Sequence, residues 1–296
     1  MTTITGQRHR AVVVYRRTEL DELTARHATR GQLEFFLASR GRSLGDVQQR
    51  HDKFVDARRH LIDGIPEDWA IAEVEREDVS RFLFAPEDIV VAFGQDGLVA
   101  NVAKYLTGQL VIGVNPEGSA KGPLVRHDVK DGLTLLLRPE TAVVAQLTTV
   151  AVHTDAGDVL TGLNEVFVGQ PSHQSARYVI ETPSGCERQS SSGLIVGTGA
   201  GSTGWCASLA HDRAISKLPG LTDASLVWFV REAWPSPTTS VQLTAGLLTP
   251  GETLRMRVES DELVAFADGI ETDHLTATWG QQLIIGPADT PVRLAL

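Results

Sequence analysis

Three stretches hold residues whose types and spacing could do chemistry on phosphates. Phe93-Gly94-Gln95-Asp96-Gly97 lies between an apolar run and a helix-like one. Glycines in such a turn let the backbone bend sharply and approach a ligand closely. A helix behind it presents unpaired N–H groups and a positive dipole end to phosphate oxygens. The carboxylate of Asp96 would repel phosphate; it suits a magnesium ion or a hydroxyl that must lose its proton. The plainer alternative is a strand-to-helix turn capped by Asp96. The second stretch, residues 190–204, reads SSSGLIVGTGAGSTG. A strand runs into Gly197, Gly199, Gly201 and Gly204, with hydroxyls at Thr198, Ser202 and Thr203. Such a loop offers converging N–H and O–H donors, as polyphosphate recognition requires. The third, Leu163-Asn164-Glu165-Val166, places an amide beside a carboxylate. That pair can recognise ribose hydroxyls and an adenine amino group, although Asn before a strand is more commonly a turn residue.

Other chemistries find less support. Residues 199–204 match G-x-G-x-x-G, and Arg231-Glu232 follows the next strand-like run, so a dinucleotide-binding Rossmann half competes. The chain after it is rich in hairpin signals instead of βαβ units, which makes the match coincidental. The sequence contains no G-x-x-x-x-G-K-[ST] and no G-x-S-x-G, and its nine histidines show no metal-ligand spacing. His51 and His60 fall on a polar helical stretch and read as surface residues. Cys186 and Cys206 form neither a metal spacing nor a disulfide framework, which fits a reducing compartment.

The elements that must position these residues differ between the two halves. Residues 11–15 and 88–93 read as buried strands, 69–74 and 110–114 as further strands. Between them come a polar helical region over 19–61, with its second helix at 44–62, a short helix at 75–81 and a helix at 98–106. Alternation of this kind predicts an α/β domain with a mostly parallel sheet, whose ligands bind beyond the carboxyl ends of the strands. From the loop at 115–122 onward the pattern changes. Short strand-like runs at 133–137, 141–147, 166–169, 177–182, 194–198, 226–230, 241–243, 253–258 and 263–266 alternate with Gly, Pro, Asp and Ser clusters, and only 202–217 leaves room for a helix. A β-rich second domain follows. The expected division is 1–126, 127–275 and a tail at 276–296 packing back on the first domain.

Composition bounds the rest. The chain has 296 residues, 42% of them hydrophobic, and a net charge of −10. The apolar fraction excludes wholesale disorder, and the charge argues against generic nucleic-acid or membrane binding. No apolar run approaches the roughly 18–20 residues of a membrane span. The early strand leaves no room for a signal peptide, so a cytoplasmic protein is expected.

Taken in order, the three motifs resemble the NAD kinases, and more closely their mitochondrial-type branch with its bacterial relatives. Gly94-Gln95-Asp96-Gly97 stands where that family has Gly-Gly-Asp-Gly, Asn164-Glu165 matches its Asn-Glu motif, and Ser191-Ser192-Gly193-Leu194 through Gly201-Ser202-Thr203 resembles its glycine-rich segment. GVN at 113–115, NEVFVG at 164–169, QRH at 49–51 and Phe266-Ala267-Asp268-Gly269 extend the likeness along nearly the whole chain. The resemblance implies a two-domain enzyme with its site in the cleft between domains. It would use ATP with Mg2+ or another divalent cation to phosphorylate the 2′-hydroxyl of the adenosine ribose of NAD, giving NADP. Asp96 would take the hydroxyl proton. Gly94, Gln95, Gly97, Asn164, Glu165, Ser192, Thr198, Gly199, Gly201, Ser202 and Thr203 would bind the nucleotides. A homodimer or larger homo-oligomer, with neither nucleic acid nor membrane as partner, is also implied.

The sequence departs from the family at Gln95, Leu98, Ser192, Gly199-Ala200 and Trp205. A side chain at 95 would crowd the turn if φ there were positive. Two alternatives therefore stand beside NAD phosphorylation: a related kinase acting on a lipid or sugar hydroxyl, and a nucleotide-binding protein with impaired turnover.

Overall fold

A computed structural model describes residues 9–117 and 122–296; part of the loop expected at 115–122 lies outside them. The chain forms two compact units. One comprises the described residues through Tyr105 with Gln109–Val144 and Leu294–Leu296, and the other Leu106–Gly108 with Ala145–Arg293. The first is an α/β unit with a mostly parallel sheet; the second is β-rich and antiparallel.

The first unit opens with β1 (Arg10–Tyr15), α1 (Glu19–Arg26), α2 (Arg30–Ala38) and α3 (Leu44–Asp63). Three hydroxyl caps divide the helical region that periodicity alone left continuous before residue 44. Thr18 and Asp21 form a reciprocal capping box on α1, and Thr29 and Ser43 accept N–H groups of α2 and α3. There follow β2 (Ala70–Glu75), a 3₁₀ turn (Arg76–Arg81), β3 (Ile89–Phe93), α4 (Asp96–Ala103), β4 (Leu110–Val114) and α5 (Val129–Leu137). β1 pairs in parallel with β2 and β3, and β3 with β4, in register. Both faces of the central strands β3 and β4 are covered, and they are buried at every residue, whereas the edge strand β2 is largely exposed. Leu61, Phe54 and Leu136 pack with Val13, Val91 and Phe93 in one core, while Leu23, Leu33, Leu37 and Val47 make a smaller one among the first three helices.

Residues 133–137, expected as a strand, are the second half of α5. Asp128 caps that helix, its carboxylate accepting from Asp131 N–H at 2.8 Å. A run as short as Leu133-Thr134-Leu135-Leu136-Leu137 has no readable period, so the cap decides. The first unit continues to Val144, and Leu296 N–H donates to Val143 O at 2.8 Å.

The strands that follow are β5 (Val144–Leu147), β6 (Val150–Thr154), β7 (Val159–Gly162), β8 (Glu165–Gly169), β9 (Ala176–Thr182), β10 (Gly185–Ser191) and β11 (Gly193–Gly197). A 3₁₀ turn (Gly201–Thr203) and α6 (Trp205–Asp212) precede β12 (Leu226–Arg231), β13 (Ala245–Leu248), β14 (Leu254–Val258), β15 (Glu262–Ala267), β16 (Ile270–Thr278), β17 (Gln282–Pro287) and β18 (Val292–Ala295). The sheet orders are β2-β1-β3-β4-β18-β5, β10-β9-β14-β17-β6-β7 and β13-β12-β11-β8-β15-β16. One core joins the last two, with Tyr178, Ile180 and Met256 from one sheet and Val166, Leu194 and Trp228 from the other. α6 covers the opposite face of the β11 sheet through Cys206 and Ala210, against Ile195 and Phe229.

The strand expected at 241–243 does not form. The Glu187 carboxylate accepts Gln242 N–H at 3.2 Å and Leu243 N–H at 2.9 Å, which removes both donors from any ladder. The strand begins instead at Ala245. Among the described residues no helix is long and apolar enough to cross a membrane.

Gly113 tests how tightly β4 is packed. A Cβ there would collide with Leu124 O and come within 2.9 Å of Val125 Cα, both backbone atoms. Gly113→Ala is expected to destabilise the protein by about 1–3 kcal/mol through overpacking, read as a lowered urea midpoint in circular dichroism.

Candidate functional site

In the first unit the carboxyl ends of the parallel strands open into a cavity of about 790 Å³. Arg16 follows β1, Gly94 follows β3 and Asn115 follows β4, and all three line it together with Asp96, Gln95 and Arg50. This is where an open parallel sheet places its ligand.

Asp96 is the first residue of α4, and the N-cap is Gln95, which makes no side-chain cap bond. The capping alternative therefore does not hold. Instead Asp96 Oδ1 accepts two main-chain N–H groups, from Val125 at 2.7 Å and Leu124 at 3.1 Å. Gly122 lies so close to the carboxylate that a Cβ on it would collide with both oxygens. The half-buried carboxylate is thus fixed through Oδ1, lies against Gly122, and belongs to the cavity lining.

Gln95 has φ −111°, ordinary extended backbone, so its side chain causes no strain. Gly97 has open space around it, and at Gly94 a Cβ would meet only the Leu98 side chain, at 3.2 Å. The turn accepts Gln at position 95 because its geometry does not require positive φ there. His51, expected on the surface, is half-buried on the cavity wall, its Nδ1 2.7 Å from Thr18 Oγ1.

The second unit brings the other expected residues together around one turn. Asp268 (φ 53°) and Gly269 (φ 70°) connect β15 to β16. The Asp268 carboxylate accepts N–H groups of Leu163 at 2.9 Å, Asn164 at 2.7 Å and Glu165 at 3.2 Å. Asn164 O in turn accepts Thr198 N–H at 2.9 Å, and the Thr198 hydroxyl donates to Leu163 O. The Asn-Glu segment and the glycine-rich loop are therefore one hydrogen-bonded body.

Inside that body the glycines serve packing. A Cβ at Gly197 would strike Cys206 Sγ, at Gly199 the Gly220 carbonyl, and at Gly201 the Asn164 carbonyl. Thr198 is fully buried, its Oγ1 also accepting Ala200 N–H at 3.0 Å. Ser202 Oγ donates to Thr198 O at 3.1 Å and Thr203 Oγ1 to Ala200 O at 3.5 Å. The loop's donors turn inward. Ser202 and Thr203, half-buried and exposed, offer a ligand oxygen lone pairs, which suit ribose hydroxyls better than phosphates. Ser192, also expected at the site, precedes β11, whereas Thr198 follows it; at ~3.3 Å per residue they stand roughly 20 Å apart.

Glu165 lies at the start of β8 with Asp268 beside it. Burial, and then the negative charge of Asp268, push its carboxyl up to about 7. Burial and the Glu165 charge together push the Cys206 thiol up to about 12, so this cysteine stays an inert thiol.

No family model and no curated sequence matches this chain. Among solved structures it is similar to yeast NADH kinase, determined in complex with NADH. The TM-score is 0.61 at 13% identity, covering 98% of this chain and 84% of that one. The likeness shows the fold: an α/β domain with a mostly parallel sheet followed by a β-rich domain, as in that kinase.

Two positions escaped sequence reading. Arg16 was unremarkable in a chain of 22 arginines; the signal was its place immediately after a buried strand. Asp268 appeared only as a turn residue, and nothing local announces a carboxylate that holds a segment a hundred residues earlier.

The raised carboxyl of Glu165 has a pH consequence. Because the folded state holds this proton more tightly than the unfolded one, Glu165 costs nothing below its unfolded pKa. The cost grows as pH rises toward 7 and is complete above it. Glu165→Gln is therefore expected to stabilise the protein more at pH 8 than at pH 5, by roughly 2–3 kcal/mol. Urea unfolding of both proteins at the two pH values measures it.

Proposed function

We propose that this protein is an NAD kinase, transferring the γ-phosphoryl group of ATP to the 2′-hydroxyl of the adenosine ribose of NAD and yielding NADP and ADP. The observation that carries the reading is the held carboxylate of Asp96, at a strand–helix turn on the rim of a cavity, in a chain with the fold of a dinucleotide kinase.

Asp96 is the residue assigned to accept the 2′-hydroxyl proton through its Oδ2. As the ribose oxygen forms its bond to the γ-phosphorus, the bond from that phosphorus to the β,γ-bridging oxygen breaks and ADP departs. Fixing Oδ1 with two N–H groups keeps the base from rotating, the kind of positioning on which phosphoryl transfer depends. Asn164, Glu165, Ser202 and Thr203 are assigned to the adenosine half of NAD, where hydroxyl and amino donors meet their oxygens. Thr198, Gly199 and Gly201 support that surface from within.

No group of three or more His, Cys, Asp or Glu residues suited to a metal exists among the described residues. Magnesium keeps few protein ligands and binds mainly to water and phosphates. The ion would come with ATP and neutralise developing phosphate charge; Asp96 is one of the carboxylates that line the cavity, with Glu19, Glu22 and Glu117.

The test is NADP formation from ATP, Mg2+ and NAD or NADH, read through an NADP-specific dehydrogenase. Asp96→Asn keeps an oxygen for the Leu124 and Val125 N–H groups but cannot take a proton. It is expected to retain the fold and nucleotide affinity and to lose on the order of 10²–10⁴-fold in kcat. An unchanged rate removes Asp96 from this role, and no product from the unaltered protein removes the kinase reading.

A further inference from the structure

The glycine-rich loop spends its donors internally, so the donor's phosphates must find cationic or N–H partners elsewhere. The carboxyl end of the parallel sheet supplies a pair. β1 and β2 run parallel with Tyr15 opposite Glu75, so Arg16 and Arg76 leave adjacent strands at the same level. Arg76 Nε donates to Asn101 Oδ1 at 2.7 Å, leaving its terminal nitrogens outside that bond. Arg16 lines the cavity beside Asp96 and makes no hydrogen bond or ion pair among the described residues. Its neighbours are matched otherwise: Arg17 pairs with Glu75 at 2.8 Å and Arg50 with Glu19 at 3.1 Å. Partial burial and the charge of Arg76 both lower the Arg16 pKa, against a smaller pull from Glu22.

Two arginines that leave adjacent strands at the same level repel each other, and an anion that joins them relieves the repulsion. Planar guanidinium forks match phosphate oxygens. Resting on the kinase reading above, we propose that Arg16, which lines the cavity with Asp96, and Arg76, which follows the adjacent strand at the same level, form a phosphoanion subsite for the terminal phosphates of the donor. The ligand chemistry is a chain of linked phosphates, whether on a nucleoside triphosphate or as inorganic polyphosphate.

Calorimetry with the full chain at fixed ionic strength tests this, using inorganic tripolyphosphate, ATP with Mg2+, and NAD as separate probes. Arg16→Ala and Arg76→Ala are each expected to weaken tripolyphosphate and ATP binding about 10–100-fold, the scale of a charged hydrogen bond, and to leave NAD affinity unchanged. Arg16→Lys is expected to recover part of the loss. Weakened tripolyphosphate binding with unaltered ATP binding would support the subsite and identify inorganic polyphosphate as its ligand. Unaltered binding of both probes, or a loss confined to NAD, overturns the proposal. Arg16→Ala removes no hydrogen bond among the described residues, so it stays informative even if Arg76→Ala, which frees Asn101, perturbs folding; unfolding midpoints of both variants check this. If the unaltered protein forms no NADP yet its tripolyphosphate affinity still falls in Arg16→Ala, the kinase reading fails while the phosphate subsite stands.

Discussion

A carboxylate oxygen that gathers main-chain N–H groups organises the candidate site in each unit. In the first, Asp96 Oδ1 binds the backbone of Leu124 and Val125, so the turn after β3 and the segment after β4 hold each other. In the second, Asp268 collects three successive N–H groups from residues 163–165 and thereby fixes the start of β8. Irregular backbone near a ligand site cannot satisfy its own donors, and an ionised acceptor is the strongest available partner. Much else follows from these two contacts. Gly122 has to be glycine because it lies against one carboxylate, and Gly113 because the same segment crosses β4.

The pairing has a cost that chemistry can use. Asp268 is charged where it holds the backbone, and it stands beside the half-buried Glu165, whose carboxyl it helps raise. Glu165 therefore titrates near neutral pH although neither an acid nor a base partner was built for it. At Asp96 one oxygen is held by two main-chain N–H groups, and the residue lines a cavity. Two carboxylates in comparable turns thus have different surroundings.

The first unit was largely legible in the sequence because buried parallel strands are continuous apolar runs; residues 110–114 coincide with β4, and 88–93 with β3 to within one residue. The placement of Asp96 at a strand-to-helix turn was equally readable from the glycines around it. Legibility failed where long-range hydrogen bonds overrule local pattern. Glu187 suppresses a strand at 241–243, and Asp128 starts a helix that takes in the leucine-rich residues 133–137. The edge strands β7 and β16 alternate too weakly to announce themselves. The glycine-rich loop misled in another way. Its spacing suggests a cradle for phosphate, yet each of Gly197, Gly199 and Gly201 is small because the protein's own atoms occupy the space. A glycine marks close approach, and sequence does not say whether ligand or chain approaches.

That distinction reorders the electrostatics. A protein of net charge −10 with no lysine in either glycine-rich turn invites the conclusion that phosphate is held by main chain, hydroxyls and metal alone. The hydroxyls of the loop instead donate to carbonyls, and the first-unit turn presents a carboxylate. Positive charge enters the cavity through arginines placed after parallel strands, one of them unpaired while its neighbours are neutralised by glutamates. Net charge averages over a surface, whereas a polyanion responds to the few unmatched charges within a Debye length of about 8–10 Å. An acidic chain can therefore bind a polyphosphate well, provided that its acidic residues neutralise every cation except those facing the ligand.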